Sequence, residues 1–254
     1  MKSNGAILWE GASLLDGKPI VAIVTGLRSG STNRKTGSML QTWILRADVE
    51  PHTAIKTGAD ASICGDCPHR GTAKGDRTEG RACYVLTHNA PLAIFRGYKR
   101  EIYPRALANE IPELGAWRSV RLGAYGDPAA VPAWVWRGLT KRASNWTGYT
   151  HRWRSARVLQ SLCMASVDNP EERAQARAEG WRCFYVAPKG SAVSMDVRVA
   201  REQASVICPA SEERGKRTTC TECGLCRGTS VSTAVQNLDI VIGAHGAGAK
   251  HVKA

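Results

Sequence analysis

Residues 120–143, VRLGAYGDPAAVPAWVWRGLTKRA, contain the pattern that decides the fold. The apolar run Val120 to Ala124 predicts a β-strand, and Tyr125-Gly-Asp-Pro128 predicts the turn that ends it. A helix is expected from about Ala130 to Ala143. A strand followed by a helix is the unit from which parallel sheets are built, so repetition of this pattern predicts a parallel sheet.

The same alternation recurs towards the carboxyl terminus. Short strands are predicted at Thr147 to His151, Cys163 to Val167, Cys183 to Val186, Val206 to Cys208 and Leu238 to Ile242. Helices are predicted near Ser155 to Leu162 and from Glu171 to Ala178, the second beginning at Pro170 with Asp168 or Asn169 as its N-cap. About five or six such units predict an α/β fold with a full or partial parallel β/α barrel.

The amino-terminal part is β-rich instead. Strands are predicted at Ile20 to Thr25 and Met39 to Arg46, joined by a polar loop from Gly26 to Ser38. The basic residues of this loop, including Arg34 and Lys35, either contact phosphate or are ordinary solvated side chains. The predicted organisation is a β-rich segment, 1–50, and a barrel-like domain, 51–254, unless both form one continuous domain over 1–254.

Polar side chains gather where the predicted strands end. They are Tyr125, Asp127, Tyr149, His151, Ser166, Asp168, Cys208, Ser211 and Glu212. Parallel barrels carry their chemistry at the carboxyl ends of the strands, which makes this edge the predicted active site. Asp127, His151 and Asp168 are the candidate catalytic residues. Alternatively, Asp127 caps the next helix and His151 is a hydrogen-bonded structural residue.

The first of two cysteine clusters is Cys64-Gly-Asp-Cys67-Pro-His69, followed by Cys83. A two-residue gap allows both thiolates to reach one metal centre, and Cys83 is the natural third ligand. Either His69 or His88 completes a zinc site, or no protein ligand does so. In the latter case, a cubane cluster keeps one iron open for a substrate or cofactor.

The second cluster is Cys208 with Cys220-Thr-Glu-Cys223-Gly-Leu-Cys226. The C-x2-C-x2-C run is typical of iron–sulfur proteins, but four thiolates bind zinc equally well. The sequence therefore predicts a closed metal site without identifying the metal. Cys163 and Cys183 each begin an apolar run, so both are expected in the core.

Composition narrows the classes of partner. The net charge of +13 favours an anionic partner, such as nucleic acid or a nucleotide, over a merely basic surface. No apolar run approaches the roughly 20 residues that span a bilayer, and the amino terminus lacks the apolar core of a secretory signal. We expect no membrane association and a reducing, cytoplasmic compartment, in which closely spaced cysteines usually bind metal.

The order of these motifs resembles that of radical SAM enzymes. In that family a three-cysteine loop after an early strand holds a 4Fe-4S cluster with an open iron, and a Gly-Gly-Glu-Pro-type motif after the next strand holds the amino group of S-adenosylmethionine (SAM). Gly123-Ala-Tyr-Gly126-Asp127-Pro128 occupies the comparable place, and Ser166-Val-Asp168 is similar to a Ser-x-Asp strand end of the family. The resemblance implies that SAM contacts Gly123, Tyr125, Gly126, Asp127 and Ser166. It also implies an auxiliary cluster on the late cysteines.

Most of the chain also resembles uncharacterised bacteriophage proteins that share the Cys-x-x-Cys-Pro segment, a Cys-Tyr pair, a Gly-Asp-Pro turn and a final cysteine cluster. Three hypotheses follow. The first is a phage-encoded, radical SAM-like iron–sulfur enzyme acting on nucleic acid or a nucleotide in the host cytoplasm. The second is a non-catalytic, zinc-stabilised nucleic-acid-binding protein, and the third is a zinc-containing base-modifying enzyme on the same barrel.

Overall fold

The computed structural model describes residues 3–189, 191, 205–215, 217–232 and 235–252. Their strands form two five-stranded sheets and one small hairpin. The mixed α/β fold with parallel strands and a β-rich amino-terminal part, predicted from the sequence, is confirmed.

The first sheet begins with three antiparallel strands, β1 (Gly5–Ala12), β2 (Pro19–Thr25) and β3 (Leu40–Arg46). Nearly every residue of β2 and β3 is buried, because helices and neighbouring strands cover both faces of these runs. Strand β3 also pairs in parallel with a later strand, β6 (Ser119–Tyr125). The β-rich segment is therefore hydrogen-bonded into the same sheet as the strand–helix units that follow it.

The chain between β3 and β6 is mostly helical. Its elements, in order, are α1 (Pro51–Thr57), α2 (Ala61–Cys64), the hairpin strands β4 (Thr72–Lys74) and β5 (Arg77–Glu79), α3 (Ala90–Lys99) and α4 (Ile111–Gly115). Three of the helices, α1, α3 and α4, carry proline in the first turn, where a missing N–H costs no hydrogen bond.

One extended segment joins the two sheets. Strand β7 (Asn145–Thr147) pairs with β6, whereas β8 (Tyr149–Thr150), one residue later, pairs with β9 (Met164–Val167). Gly148 separates them, and a Cβ there would lie 2.8 Å from the Cys163 Sγ. The close approach of the two sheets at this point therefore requires glycine.

The second sheet is parallel throughout, in the order β11-β12-β10-β9-β8. Its remaining strands are β10 (Cys183–Ala187), β11 (Ser205–Ile207) and β12 (Asp239–Gly243). The helices on this half are α5 (Ala133–Thr140), α6 (Pro170–Ala178) and α7 (Cys220–Cys223). Strand β12 lies between β10 and β11, which departs from the sequential strand order of a simple barrel.

Two predicted helices differ from the structure. The helix predicted over 155–162 is a 3₁₀ turn at Arg157–Leu159, because Leu159 and Leu162 are both buried across a tight bend and the segment is short. The helix predicted over 130–143 is divided into a 3₁₀ turn at Pro128–Ala130 and α5. Pro132 is extended and begins α5, so the two pieces do not merge.

The main core is continuous across both sheets and includes Trp136, Trp153, Cys163 and Cys183. Both cysteines are fully buried, as predicted. None of the helices in the described ranges has the length and apolar character needed to cross a bilayer.

Candidate metal and ligand site

A hairpin explains the long gap in the first cysteine cluster. Cys64 ends α2 and Cys67 precedes a 3₁₀ turn at Pro68–Arg70, after which β4 and β5 carry the chain out and back. The Cys83 N–H then donates to the His69 carbonyl at 2.9 Å. The fifteen residues between Cys67 and Cys83 therefore return the third cysteine to the first two.

An ion pair between Arg70 and Asp60 holds the loop that carries the first cysteine cluster. The Arg70 guanidinium donates to the Asp60 carboxylate at 2.6 Å and to the carbonyls of Gly58 and Gly65. Asp60 is only 2% exposed, so the pair is shielded from water. The cysteine loop is consequently fixed to the end of α1 and to both ends of α2.

The turn after β6 is built on two glycines. Gly123 has φ +68° and Gly126 has φ +84°, a region that other residues rarely adopt. A Cβ on Gly126 would lie 2.7 Å from the Ile44 Cβ. These glycines are required by the backbone, whatever they contact in a ligand.

Asp127 is buried and fully hydrogen-bonded. Its carboxylate accepts from the Ala129 N–H at 2.9 Å, the Thr150 hydroxyl at 2.7 Å and the His151 N–H at 2.8 Å. Burial raises its pKa, against the opposing effect of these bonds. Of the two roles predicted from the sequence, the structure displays the capping one, and the same carboxylate also fixes the end of β8.

A His–Asp–His group lies beside the first cluster. Asp168 follows β9, and its carboxylate lies 2.7 Å from the His69 Nε2 and 3.3 Å from the His151 Nε2. Burial raises the pKa of Asp168, but the two histidines outweigh burial and hold it well below its ordinary value. The ligand atoms of these three residues lie within 4.8 Å of one another, close enough to bind one metal ion.

Hydrogen bonds to Lys35 and Asn145, and a capping box within α7, hold the second cluster. The Cys220 N–H donates to the Lys35 carbonyl at 2.8 Å, and the Asn145 amide donates to the carbonyls of Cys220 and Thr221. The Thr219 and Glu222 capping box starts α7.

The loop after α7 is held by Arg182, which is 2% exposed. Its guanidinium donates to the carbonyls of Leu225, Arg227, Gly228 and Leu238. This arginine therefore fixes the backbone on both sides of Cys226.

Both clusters face one cavity of about 460 Å³. Cys64, Cys67 and Cys83 line one side, and Cys208 and Cys220 line another. Cys226 is buried and is not part of the lining. Sequence positions more than 120 residues apart are thus brought to one chamber.

The remaining predicted residues divide into two groups. Those that line the cavity are Gly123, Tyr125, Gly126, Asp127, Tyr149, His151 and Ser166. The Tyr125 hydroxyl is buried there without a hydrogen-bond partner in the described part of the chain. Asp168, Ser211, Glu212 and Cys223 are not part of the lining. His69 lines the cavity, whereas His88 is exposed and does not.

Burial perturbs four thiols of the two clusters. Burial raises the pKa of Cys64, Cys83, Cys208 and Cys220, so metal binding would displace protons. The nine cysteines are all free, and no three thiols of the described residues lie within 4.8 Å of one another. Four thiolates on one zinc ion, at Zn–S bonds of about 2.3 Å, lie only about 3.8 Å apart.

Two residues that line the cavity, Arg121 and Tyr84, were not among the predicted site residues. Lys35, for which phosphate contact was one of two predicted roles, lines the cavity as well. The alternation of side chains along a strand indicates that Arg121 belongs to the site. Arg121, Gly123 and Tyr125 are two residues apart on β6 and therefore share one face.

Comparison of the chain with models of protein families, with curated proteins and with solved structures gives no match.

Proposed function

We propose that this chain is an iron–sulfur enzyme that resembles radical SAM proteins and acts on a nucleotide or nucleic acid. One observation carries the proposal: both cysteine clusters open onto the same cavity. A structural zinc site is closed by four protein ligands and needs no access to a chamber. Two metal-binding clusters on one chamber are therefore better explained by chemistry in that chamber than by structural support.

The spacing of the thiols supports a polynuclear centre. In an iron–sulfur cluster each thiolate binds a different iron, so the sulfur atoms lie farther apart than around one zinc ion. No three thiols of the described residues lie within 4.8 Å of one another, a spacing that suits a polynuclear centre better than a single zinc ion. The donor set, three cysteines in one cluster and four in the other, matches the same chemistry.

In the described part of the chain, neither histidine predicted as a fourth ligand is free to complete the first cluster. His88 is exposed, and the Nε2 of His69 already bonds Asp168 at 2.7 Å. Three cysteines would thus hold a 4Fe-4S cluster with one open iron. A cluster of this kind, when bound, supplies one-electron reduction to a cofactor such as SAM.

The strand arrangement supports the same proposal. From β3 through β6, β7–β8, β9, β10 and β12, neighbouring strands pair in parallel, and we infer a partial barrel whose strands carry the cavity at their carboxyl ends. In this proposal Gly123 and Gly126 allow SAM to approach the backbone closely. Asp127 positions β8 and His151. Nine unpaired cysteines favour a reducing compartment such as the bacterial cytoplasm.

The test is consumption of SAM by chemically reduced, anaerobically purified protein. We expect the wild type and Cys183→Ala, a core control, to consume SAM, and Cys64→Ser to lose this activity. SAM consumption that is absent from the wild type, or unchanged in Cys64→Ser, would reject the radical SAM assignment.

A mononuclear metal enzyme is the second candidate, and the His–Asp–His group favours it. Two imidazoles that line the cavity and a carboxylate beside them are a common ligand set for catalytic iron or zinc. This candidate predicts one metal ion that is lost in His69→Ala and retained in His88→Ala, whose side chain is exposed. Equal metal content in both variants would exclude it.

A further inference from the structure

We propose that Arg121 and Lys35 form an anion subsite that binds a phosphate ester of the substrate. This inference rests on the proposed function, because it specifies the nucleotide class of substrate for the same cavity. The two cations come from separate parts of the chain, Arg121 from β6 and Lys35 from the loop between β2 and β3. Both line the cavity between the two cysteine clusters.

Arg121 has unused hydrogen-bonding capacity. Its guanidinium donates to the Tyr84 hydroxyl, and it makes no other side-chain hydrogen bond among the described residues. A guanidinium carries five N–H donors in a planar fork that matches two oxygens of a phosphate. The titratable groups that act most strongly on Arg121 are Tyr84, Tyr149 and Cys220, none of which is a carboxylate.

Lys35 is positioned by its backbone rather than by its side chain. The Asn33 carboxamide accepts from the Lys35 N–H at 2.9 Å, and the Lys35 carbonyl accepts from Cys220 at 2.8 Å. Its ammonium forms no ion pair within the described ranges. Lys35 thus adds a second positive charge with a fixed main chain.

Among the described residues that line the cavity, no carboxylate is free to neutralise these cations. Asp127 is the one acidic residue among the described residues of the lining, and its carboxylate already accepts three hydrogen bonds. Two cations facing a chamber without a free counter-ion favour an anionic ligand.

Aromatic rings beside the cations suit the rest of a nucleotide. Tyr84, 46% exposed, lies at the mouth with its ring 5.1 Å from that of His245. Deeper in the lining, Tyr149 and Phe184 lie 4.2 Å apart. Flat rings of this kind are surfaces on which a base stacks. The cavity of about 460 Å³ also falls within the usual range for small-molecule sites.

The competing explanation is that both cations balance the charge of the second metal cluster. Cys220 faces Arg121 and also Lys35, so charge compensation is a real alternative. The two explanations differ in what a neutral substitution removes. Loss of a phosphate subsite weakens ligand binding and leaves the metal in place, whereas loss of a counter-ion changes the metal content.

The test measures binding of adenosine 5′-monophosphate and of a short single-stranded oligodeoxynucleotide to the metal-loaded protein. Arg121→Gln and Lys35→Gln are compared with Arg96→Gln, an exposed arginine on α3 outside the cavity. We expect each cavity variant to weaken binding by about tenfold to a hundredfold at unchanged iron content, since charge-assisted bonds are lost. Arg121→Lys, which keeps the charge, is expected to retain part of the affinity.

Loss confined to the mononucleotide identifies a nucleotide substrate, and loss confined to the oligonucleotide identifies nucleic acid; either result supports the subsite. Unchanged affinity in both glutamine variants, no binding by the wild type, or loss of iron in Arg121→Gln would overturn it. Loss of SAM binding without loss of nucleotide binding would also overturn it. A wild type that holds iron and consumes SAM but binds neither probe refutes the subsite alone.

Discussion

The Sγ of Cys67 lies 3.9 Å from the Nε2 of His151, although 84 residues separate them in the sequence. The same imidazole reaches Asp168 at the end of β9. Burial lowers the pKa of His151, but the Cys67 thiol and the Asp168 carboxylate outweigh burial and hold it well above its ordinary value. The first cysteine cluster and the strand-end polar residues therefore form one site.

The two cysteine clusters should lose metal independently. Their loops are anchored by different residues, Arg70 for the first and Arg182 for the second. We expect Cys67→Ser and Cys223→Ser each to remove about half of the bound iron, since each disrupts one of two clusters. Iron analysis of anaerobically purified variants checks this, with Cys183→Ala as the control. Complete iron loss in either variant would contradict independent clusters.

We expect loss of the Asp127 carboxylate to destabilise the fold. In Asp127→Asn the carboxamide presents an N–H₂ group to one of three donors, the Ala129 N–H, the Thr150 hydroxyl or the His151 N–H. We expect the free energy of unfolding to fall by about 1–3 kcal/mol. Denaturant unfolding measures the change, and Asp76→Asn in the exposed β4–β5 turn provides the control. An unchanged stability would mean that this carboxylate is available for a ligand.

Gly126 should tolerate no side chain. Alanine there would be held in the left-handed region of the backbone, and its Cβ would clash with Ile44. We therefore expect the free energy of unfolding to fall by about 2–4 kcal/mol. Gly75 has φ +63° with open space around it, so Gly75→Ala isolates the backbone effect and should cost about 1 kcal/mol. The two unfolding midpoints, measured side by side, test this difference. Equal losses would show that packing against Ile44 is unimportant.

Arg182 should support the second cluster indirectly. Arg182→Met removes the guanidinium from the four carbonyls that it bonds, and we expect the free energy of unfolding to fall by about 2–4 kcal/mol. The freed loop should also retain less metal at Cys226. Arg157→Met, which removes one bond to a surface carbonyl, is the matched control. Equal metal retention in the two variants would argue against this role for Arg182.

Local patterns predicted the strands of the parallel half well. Strands β6, β9 and β10 are short apolar runs ended by turns, and the Asn169 side chain accepts from the Glu172 N–H as predicted for an N-cap. Helices α1 to α4 gave no comparable signal. All four are short, and α1, α3 and α4 contain proline, so their stability comes from packing on the sheet.

The candidate site was predictable in its chemistry and not in its assembly. Spacing predicted the two cysteine clusters, and strand ends predicted His151 and Asp168. Nothing local indicated that a hairpin returns Cys83 to His69, or that β12 inserts beside β10, because both depend on long-range pairing. Arg121 was missed for a related reason: strand alternation groups it with Tyr125 but does not say which face meets a cavity.

The most direct test of the central claim is the metal and sulfide content of the wild-type protein purified without oxygen, read together with its visible absorption. We expect iron and acid-labile sulfide in equal amounts and a broad band at about 400 nm, as for thiolate-bound iron–sulfur clusters. Stoichiometric zinc with no iron and no sulfide would contradict it.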